Sequence, residues 1–248
     1  MIALHDLHKS FGGNRVLRGI SLDVPKASSL VVIGGSGTGK SVLLKCIIGL
    51  VTPDRGRIEI DGAPLTAATR EAYLERFGML FQGGALFDSM KVWENVAFRL
   101  LRGPKKRARA EARAIALEKL ARVGLSERVA DLYPAEISGG MQKRVGLARA
   151  IAADPEIIFF DEPTAGLDPI MSGVINTLIR EIVTEMGATA ITITHDMTSV
   201  REIADNVAML HEGLLRWRGP VGDVAHSGDP YVDQFINGRA TGPIQPLR

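Results

Sequence analysis

The octet Gly34-Gly35-Ser36-Gly37-Thr38-Gly39-Lys40-Ser41 fits the pattern G-x-x-x-x-G-K-[ST] and directly follows the apolar run Leu30-Val31-Val32-Ile33. That run has no polar alternation, as expected of a strand buried on both faces. Residues 41–50 read as a helix, ended near Gly49 and Pro53. Glycines let the backbone close so that several amides point at one anion. A helix beginning at Lys40 adds its positive end beneath that anion. Strand, loop and helix together imply a phosphate cradle, with Lys40 reaching the β and γ phosphates and Ser41 ligating Mg2+ through its hydroxyl. A chance match in a Gly-rich turn is the competing reading, and the flanking strand and helix argue against it.

Further along, Ile157-Ile158-Phe159-Phe160 ends in Asp161-Glu162. Two acids closing an apolar strand need a metal, water or ligand, because burying them bare is too costly. We expect Asp161 to hold Mg2+ through water and Glu162 to act as the base that polarises an attacking water. Between the two segments, Ile137-Ser138-Gly139-Gly140-Met141-Gln142 opens another helix. A hydroxyl and unhindered amides at its positive end form a second anion site. One γ-phosphate does not need two such sites from the same chain. The economical arrangement is a head-to-tail dimer in which Ser138, Gly139 and Gly140 of one copy close over the nucleotide of the other. A simple N-cap is the alternative role for Ser138.

The bulk numbers narrow the class. A 248-residue chain with 46% hydrophobic and 23% charged residues suits one large globular domain, with or without an inserted subdomain. A net charge of +2 is too small to argue for nucleic acid. The single cysteine, Cys46, precludes an internal disulfide and lies in the apolar helix after the glycine-rich loop, which favours a buried structural thiol. The N-terminus carries no readable secretory signal. No apolar run approaches the roughly 18 residues of a membrane span. We therefore expect a soluble chain whose membrane role, if any, comes through a partner.

Short strands are expected over 2–8, 16–24 and 57–61, with turns at Gly12-Gly13 and Asp61-Gly62. From about Phe87 to Tyr133 the composition shifts to Ala, Arg and Glu, which favours helix; Gly103-Pro104 breaks it and Lys105 restarts it. The basic run 102–109 reads as a solvated helix start, with lipid-headgroup or nucleic-acid contact as the alternative. Helix over 139–153, strand over 157–160, helix over 170–186, strand over 189–194 and helix from about Thr198 follow, with strands near Val207 and Leu214. Met171, Val174, Ile175, Leu178, Ile182 and Met186 are expected on one buried face of the 170–186 helix. The alternation implies an α/β fold with a mostly parallel core sheet, an antiparallel β subdomain and an inserted helical subdomain at about 87–150. Ligands of such sheets sit beyond the carboxyl ends of the strands, where the glycine loop, Asp161-Glu162 and His195 lie.

These motifs, in this order and over nearly the whole chain, resemble the ATP-binding cassette (ABC) ATPases. The resemblance implies an ATPase with a P-loop NTPase fold, working with ATP and Mg2+ as a homodimer on membrane permease subunits. It implies further roles: Phe11 stacking on adenine beside Val16, Gln82 contacting Mg2+ and the attacking water while sensing the permease, and His195 as a switch near the γ-phosphate. Gly166-Leu167-Asp168 is similar to the loop that links the two sites of the dimer. Met141 departs from the usual glutamine of the signature, which removes a polar contact but leaves the Ser and Gly roles intact. Plainer readings exist for three of these: Phe11 as a strand-end core residue, Gln82 as a surface residue, and His195 as the cap of the next helix.

Two segments resemble a narrower group, the MlaF/Mkl ATPases of MCE-type lipid transporters. One is Phe81-Gln82-Gly83-Gly84-Ala85-Leu86-Phe87-Asp88-Ser89-Met90 with Val92-Trp93-Glu94-Asn95-Val96, where Gly83-Gly84 is unusual. The other is the tail 231–243, with Tyr231 and Phe235 four apart on one helical face and a Gly/Pro-rich end that cannot fold alone. The resemblance implies an ABC domain over 1–227, an extension over 228–248 that contacts the partner subunit, a permease and an MCE-domain protein as partners, and a peripheral place on the cytoplasmic face of the membrane. No nucleic-acid partner is expected. An importer for amino acids or another polar solute shares every catalytic residue and stays open, as does a soluble ABC ATPase acting on nucleic acid.

Overall fold

The computed structural model describes residues 1–103 and 106–245 and divides into two compact units, 1–75 with 191–248, and 76–190. The expected break at Pro104 and restart at Lys105 lie outside the described residues, as do the last three residues of the tail, 246–248.

In the first unit β1 (Ile2–Phe11) pairs antiparallel with β2 (Asn14–Val24) from Ile2↔Val24 to Phe11↔Asn14. Gly12 and Gly13 both take positive φ, as a two-residue hairpin turn requires. After β3 (Ser29–Ile33), buried at all five positions, comes α1 (Lys40–Ile47), then β4 (Arg55–Ile60), which pairs with the other edge of β1. The short β5 (Ala63–Pro64) and α2 (Arg70–Leu74) complete this half. Helix α1 buries Leu43, Leu44, Cys46 and Ile47. Burial pushes the Cys46 thiol up to about 11, against an opposing pull from Lys9, so the sulfur is an inert core atom at neutral pH.

The second unit opens with β6 (Phe77–Leu80), followed by α3 (Val92–Val96), α4 (Arg109–Arg122) and α5 (Gly139–Ile151). Strand β6 runs parallel to β7 (Ile157–Asp161), with Phe77 opposite Ile157 and Leu80 opposite Phe160. It also approaches α5 so closely that a Cβ on Gly78 would lie 2.1 Å from the Ala150 carbonyl oxygen. Helix α6 (Pro169–Met186) is capped by Asp168, whose carboxylate accepts from the Ile170 and Met171 amides. Its buried stripe is Ile175, Asn176, Ile179, Ile182 and Val183. Of the face expected from sequence only Ile175 and Ile182 are buried, while Val174 is 39% exposed. The core seam lies one residue further round the helix, and a buried Asn176 interrupts the apolar pattern that sequence reading follows.

Strand β8 (Thr189–Ile193) crosses back to the first unit, where α7 (Met197–Ile203), β9 (Asn206–His211), β10 (Leu214–Pro220) and α8 (Pro230–Ile236) follow. Strand β9 runs parallel to β3, pairing Ile33 with Met209, and antiparallel to β10. The parallel pairs β3/β9 and β6/β7, the antiparallel sheet of β1, β2, β4 and β5, and the helices of 92–151 match the α/β class read from the sequence. No helix among the described residues is long and apolar enough to cross a membrane.

Candidate functional site

The first unit carries the phosphate cradle. Gly34 has φ 149° and a Cβ there would meet the Leu210 carbonyl oxygen at 2.3 Å; Gly39 has φ 102° and its Cβ would lie 2.8 Å from the Val16 carbonyl oxygen. No other residue type fits either position. Lys40 Nζ folds back to donate to the Gly34 and Gly35 carbonyls at 2.7 and 2.8 Å, and Thr38 Oγ1 donates to Gly35 O at 2.9 Å. Ser36, Gly37 and Ser41 are exposed, and the Ser41 hydroxyl has no hydrogen-bond partner among the described residues.

Three residues surround this loop in the same unit. Val16 lies beside Gly39, as the close approach of its carbonyl shows. Phe11, at the end of β1, is 49% exposed, which rules out the strand-end core reading, and the Lys9 ammonium lies over its ring at 5.3 Å from the centroid. The Thr194 amide donates to Val32 O at 3.4 Å, so the end of β8 lies beside the strand that feeds the glycine loop, and His195 follows it, exposed. The cap of α7 is Asp196, which accepts from the Thr198 and Ser199 amides. Burial pushes the Asp196 carboxyl up, but hydrogen bonds from the Ser199 hydroxyl and the two amides, with His195 adjacent, outweigh it and hold the group below its usual value. The helix is thus capped without His195.

The second unit carries Gln82, Ser138, Gly139, Gly140, Asp161 and Glu162. Because Leu80 pairs with Phe160, Gln82 and Glu162 each stand two residues beyond the last paired position, at the carboxyl ends of adjacent parallel strands. Gln82 is exposed, and Asp161 and Glu162 are half-buried. Glu162 takes φ 47°, left-handed backbone that a non-glycine residue adopts at a cost of roughly 1–3 kcal/mol. Its carbonyl accepts from the Ala165 amide at 3.2 Å and from Lys143 Nζ at 3.3 Å. Ser138 caps α5, accepting from the Met141 amide at 3.3 Å, so the N-cap role is real; Ser138 and Gly139 remain exposed, while Gly140 is half-buried with the Met171 side chain beside it.

Sequence reading missed two groups here. Lys143 is only 5% exposed, and its ammonium is aimed at the end of β7. Burial lowers its pKa, opposed by the charges of Glu162 and Asp161. A lysine five residues past Ser138 on the buried side of α5 was the only available signal. The second is Arg149, which donates to Gly84 O at 2.6 Å and Ala85 O at 2.8 Å. Gly83-Gly84, singled out only as unusual, now has a physical cause. Both have positive φ, and a Cβ on Gly84 would press to 3.2 Å from the Gln142 carbonyl oxygen of α5.

With the geometry in place, comparison with known proteins decides the family. The sequence pattern of the ABC transporter family matches residues 17–165. The chain belongs to the ABC transporter family. It is 45% identical over 246 residues to a "probable ribonucleotide transport ATP-binding protein mkl" of Mycobacterium leprae, covering 98% of this chain and 70% of that protein. It is 38% identical over 251 residues to the "intermembrane phospholipid transport system ATP-binding protein MlaF" of Escherichia coli K12, covering 100% of this chain and 92% of that one. A dimeric ATP-binding cassette solved in a post-hydrolysis state with ADP and Pi superposes with a TM-score of 0.81 at 30% identity, over 89% of this chain and 99% of that one. This ABC protein is an ATPase with the P-loop α/β fold of its family, and it binds ATP.

Proposed function

We propose that this ABC ATPase powers lipid movement as a homodimer, docked on the cytoplasmic face of a membrane against a permease and an MCE-domain protein. The observation that carries the lipid reading is likeness to MlaF along the whole of this chain, tail included, and over 92% of that protein. The name of the mycobacterial relative favours a second reading, transport of a small polar solute such as a ribonucleotide.

Within the site, Phe11 and Val16 would receive the adenine, and the amides of Gly34 to Gly39 the phosphates. Lys40 would exchange the Gly34 and Gly35 carbonyls for phosphate oxygens. Ser41, Gln82 and Asp161 are oxygen donors of the kind Mg2+ takes, and the partnerless Ser41 hydroxyl fits that role. Mg2+ neutralises phosphate charge when bound. Glu162 would hold the attacking water, with His195 near the γ-phosphate. Ser138, Gly139 and Gly140 would close over the twin's nucleotide, a role supported by the exposure of Ser138 and Gly139 at the start of a 13-residue helix.

For the permease, the helical insertion (about 87–150) offers a cavity of about 650 Å3 lined by Ser89, Met90, Leu101, Arg102 and Lys106. The extension 228–248 would contact the neighbouring subunit. The test is reconstitution of the chain with its co-purifying membrane partners. ATP-dependent transfer of labelled phospholipid between vesicles, absent with Glu162→Gln, supports the lipid reading. ATP-dependent uptake of labelled ribonucleotide without phospholipid transfer would replace it.

A further inference from the structure

The guanidinium of Arg149 is half-buried, and among the described residues no carboxylate pairs with it. Burial alone lowers its pKa. A shielded cation without a counter-charge is an expensive thing to keep, and an apolar side chain would fill the same space more cheaply. What it holds instead is backbone, since its fork reaches two successive carbonyls, Gly84 O and Ala85 O, as a planar guanidinium can and an ammonium cannot. Those carbonyls converge because Gly83, Gly84 and Ala85 all have positive φ, at 91°, 77° and 47°. The loop also lies flat on α5. A Cβ on Gly146 would be 3.2 Å from the Gly84 Cα, and one on Gly84 would be 3.2 Å from Gln142 O. At its far end a second clamp acts from α3. Asn95, fully buried, accepts from the Phe87 amide at 2.7 Å and donates to Phe87 O, Met90 O and Lys91 O.

We propose that Arg149 is a positioning residue that ties the Gln82 loop to α5, so that this loop and the Ser138–Gly140 end of the helix shift as one body. The inference rests on the reading of Gln82 as the residue that meets both partner and attacking water. The device links the two: a push on residues 83–85 is delivered to the helix whose first turn closes over the twin's nucleotide, and Gln82 keeps its side chain exposed while its backbone is fixed.

The test uses the full chain with Arg149→Met, which keeps length and removes the donors, and Arg149→Lys. Amide exchange is read at Gly84, whose N–H is bonded to Phe81 O, with the Phe87 amide as an internal reference held by Asn95. Arg149→Met should speed Gly84 exchange by on the order of tenfold or more and leave Phe87 unchanged. It should lower kcat by on the order of tenfold with KM, ATP affinity and Tm little altered, and Arg149→Lys should recover part of the loss. Unchanged Gly84 exchange overturns the proposal, as does a kcat loss that merely tracks Tm. If Arg149→Met fails to fold, Gly84→Ala must reproduce the exchange and kcat pattern with Arg149 intact, and its failure to do so is equally fatal. Gln82→Ala separates the two ideas. Indifference of turnover to Gln82→Ala removes the role given to Gln82, while Gly84 exchange still judges the clamp.

Discussion

The glycine loop before α1 and the loop after β6 solve the same problem, holding irregular backbone still at the end of a strand, by opposite means. The side-chain bonds of the first come from its own residues. Lys40 and Thr38 bond to Gly34 and Gly35, no more than six residues away. The second is held from outside. Arg149 reaches Gly84 from 65 residues downstream, and Asn95 reaches Phe87 from a separate helix. A loop closed by its own residues can be rebuilt around a ligand without disturbing its neighbours. A loop clamped by helices transmits whatever displaces it.

The contrast can be broken by experiment, and the largest effect belongs to chemistry. Glu162→Gln should retain ATP binding and lower hydrolysis by roughly 10²–10⁴-fold in steady-state assays, because the amide cannot take the proton. Near-wild-type turnover would remove Glu162 as the base and sever the second unit's loops from the reaction. Next in size is Asn95→Ala. It strips four hydrogen bonds from a fully buried site and should cost about 2–4 kcal/mol in urea unfolding of the nucleotide-free protein. Thr38→Val removes one half-buried bond within the self-held loop and should cost about 1 kcal/mol or less. A Thr38→Val penalty equal to that of Asn95→Ala would show that the glycine loop is not self-sufficient.

The same contrast explains what could be read from the chain. The strand, glycine loop and helix of 29–47 were legible because their marks are contiguous in the chain, although Leu210 and Val16 are what crowd Gly34 and Gly39. Two glycines have no room for a Cβ, a buried run precedes them and a lysine follows. The ends of β7 and β8 were legible because acids or a histidine closing an apolar run are anomalies in composition. The Gly83-Gly84 pair could be noticed but not explained, since its reason is the flank of α5, more than fifty residues on. Lys143 was invisible for a related reason: a lysine in a helix reads as solvent-facing until the structure shows it buried at Glu162. On α6, Asn176 sits in the core stripe, so the apolar pattern was phased one residue off. The plain readings of Phe11 and His195 also required coordinates to remove, through exposure of the ring and the presence of Asp196 as the cap.

The tail is a third loop, and it belongs with the clamped kind. Residues 238–245 were expected to be unable to fold alone, yet they wrap one amide. Gln234 donates to Arg239 O at 3.1 Å and Ile244 O at 3.0 Å and accepts from the Ile244 amide at 2.6 Å. Within the chain the buried members of α8 are Val232 and Gln234, and Tyr231 lies under Arg216 at 4.0 Å. Gln234→Ala removes all three bonds at once, leaving the Arg239 and Gly238 amides bonded to the Gln234 and Phe235 carbonyls and the exposed Arg239–Asp233 ion pair at 2.7 Å, which is worth little. Trypsin should then cut at Arg239 about tenfold faster, with ATP affinity unchanged. Running the digestion on the dimer sharpens the result: if assembly restores protection in the variant, the twin subunit supplies the missing clamp, and if it does not, the tail is held by its own chain alone.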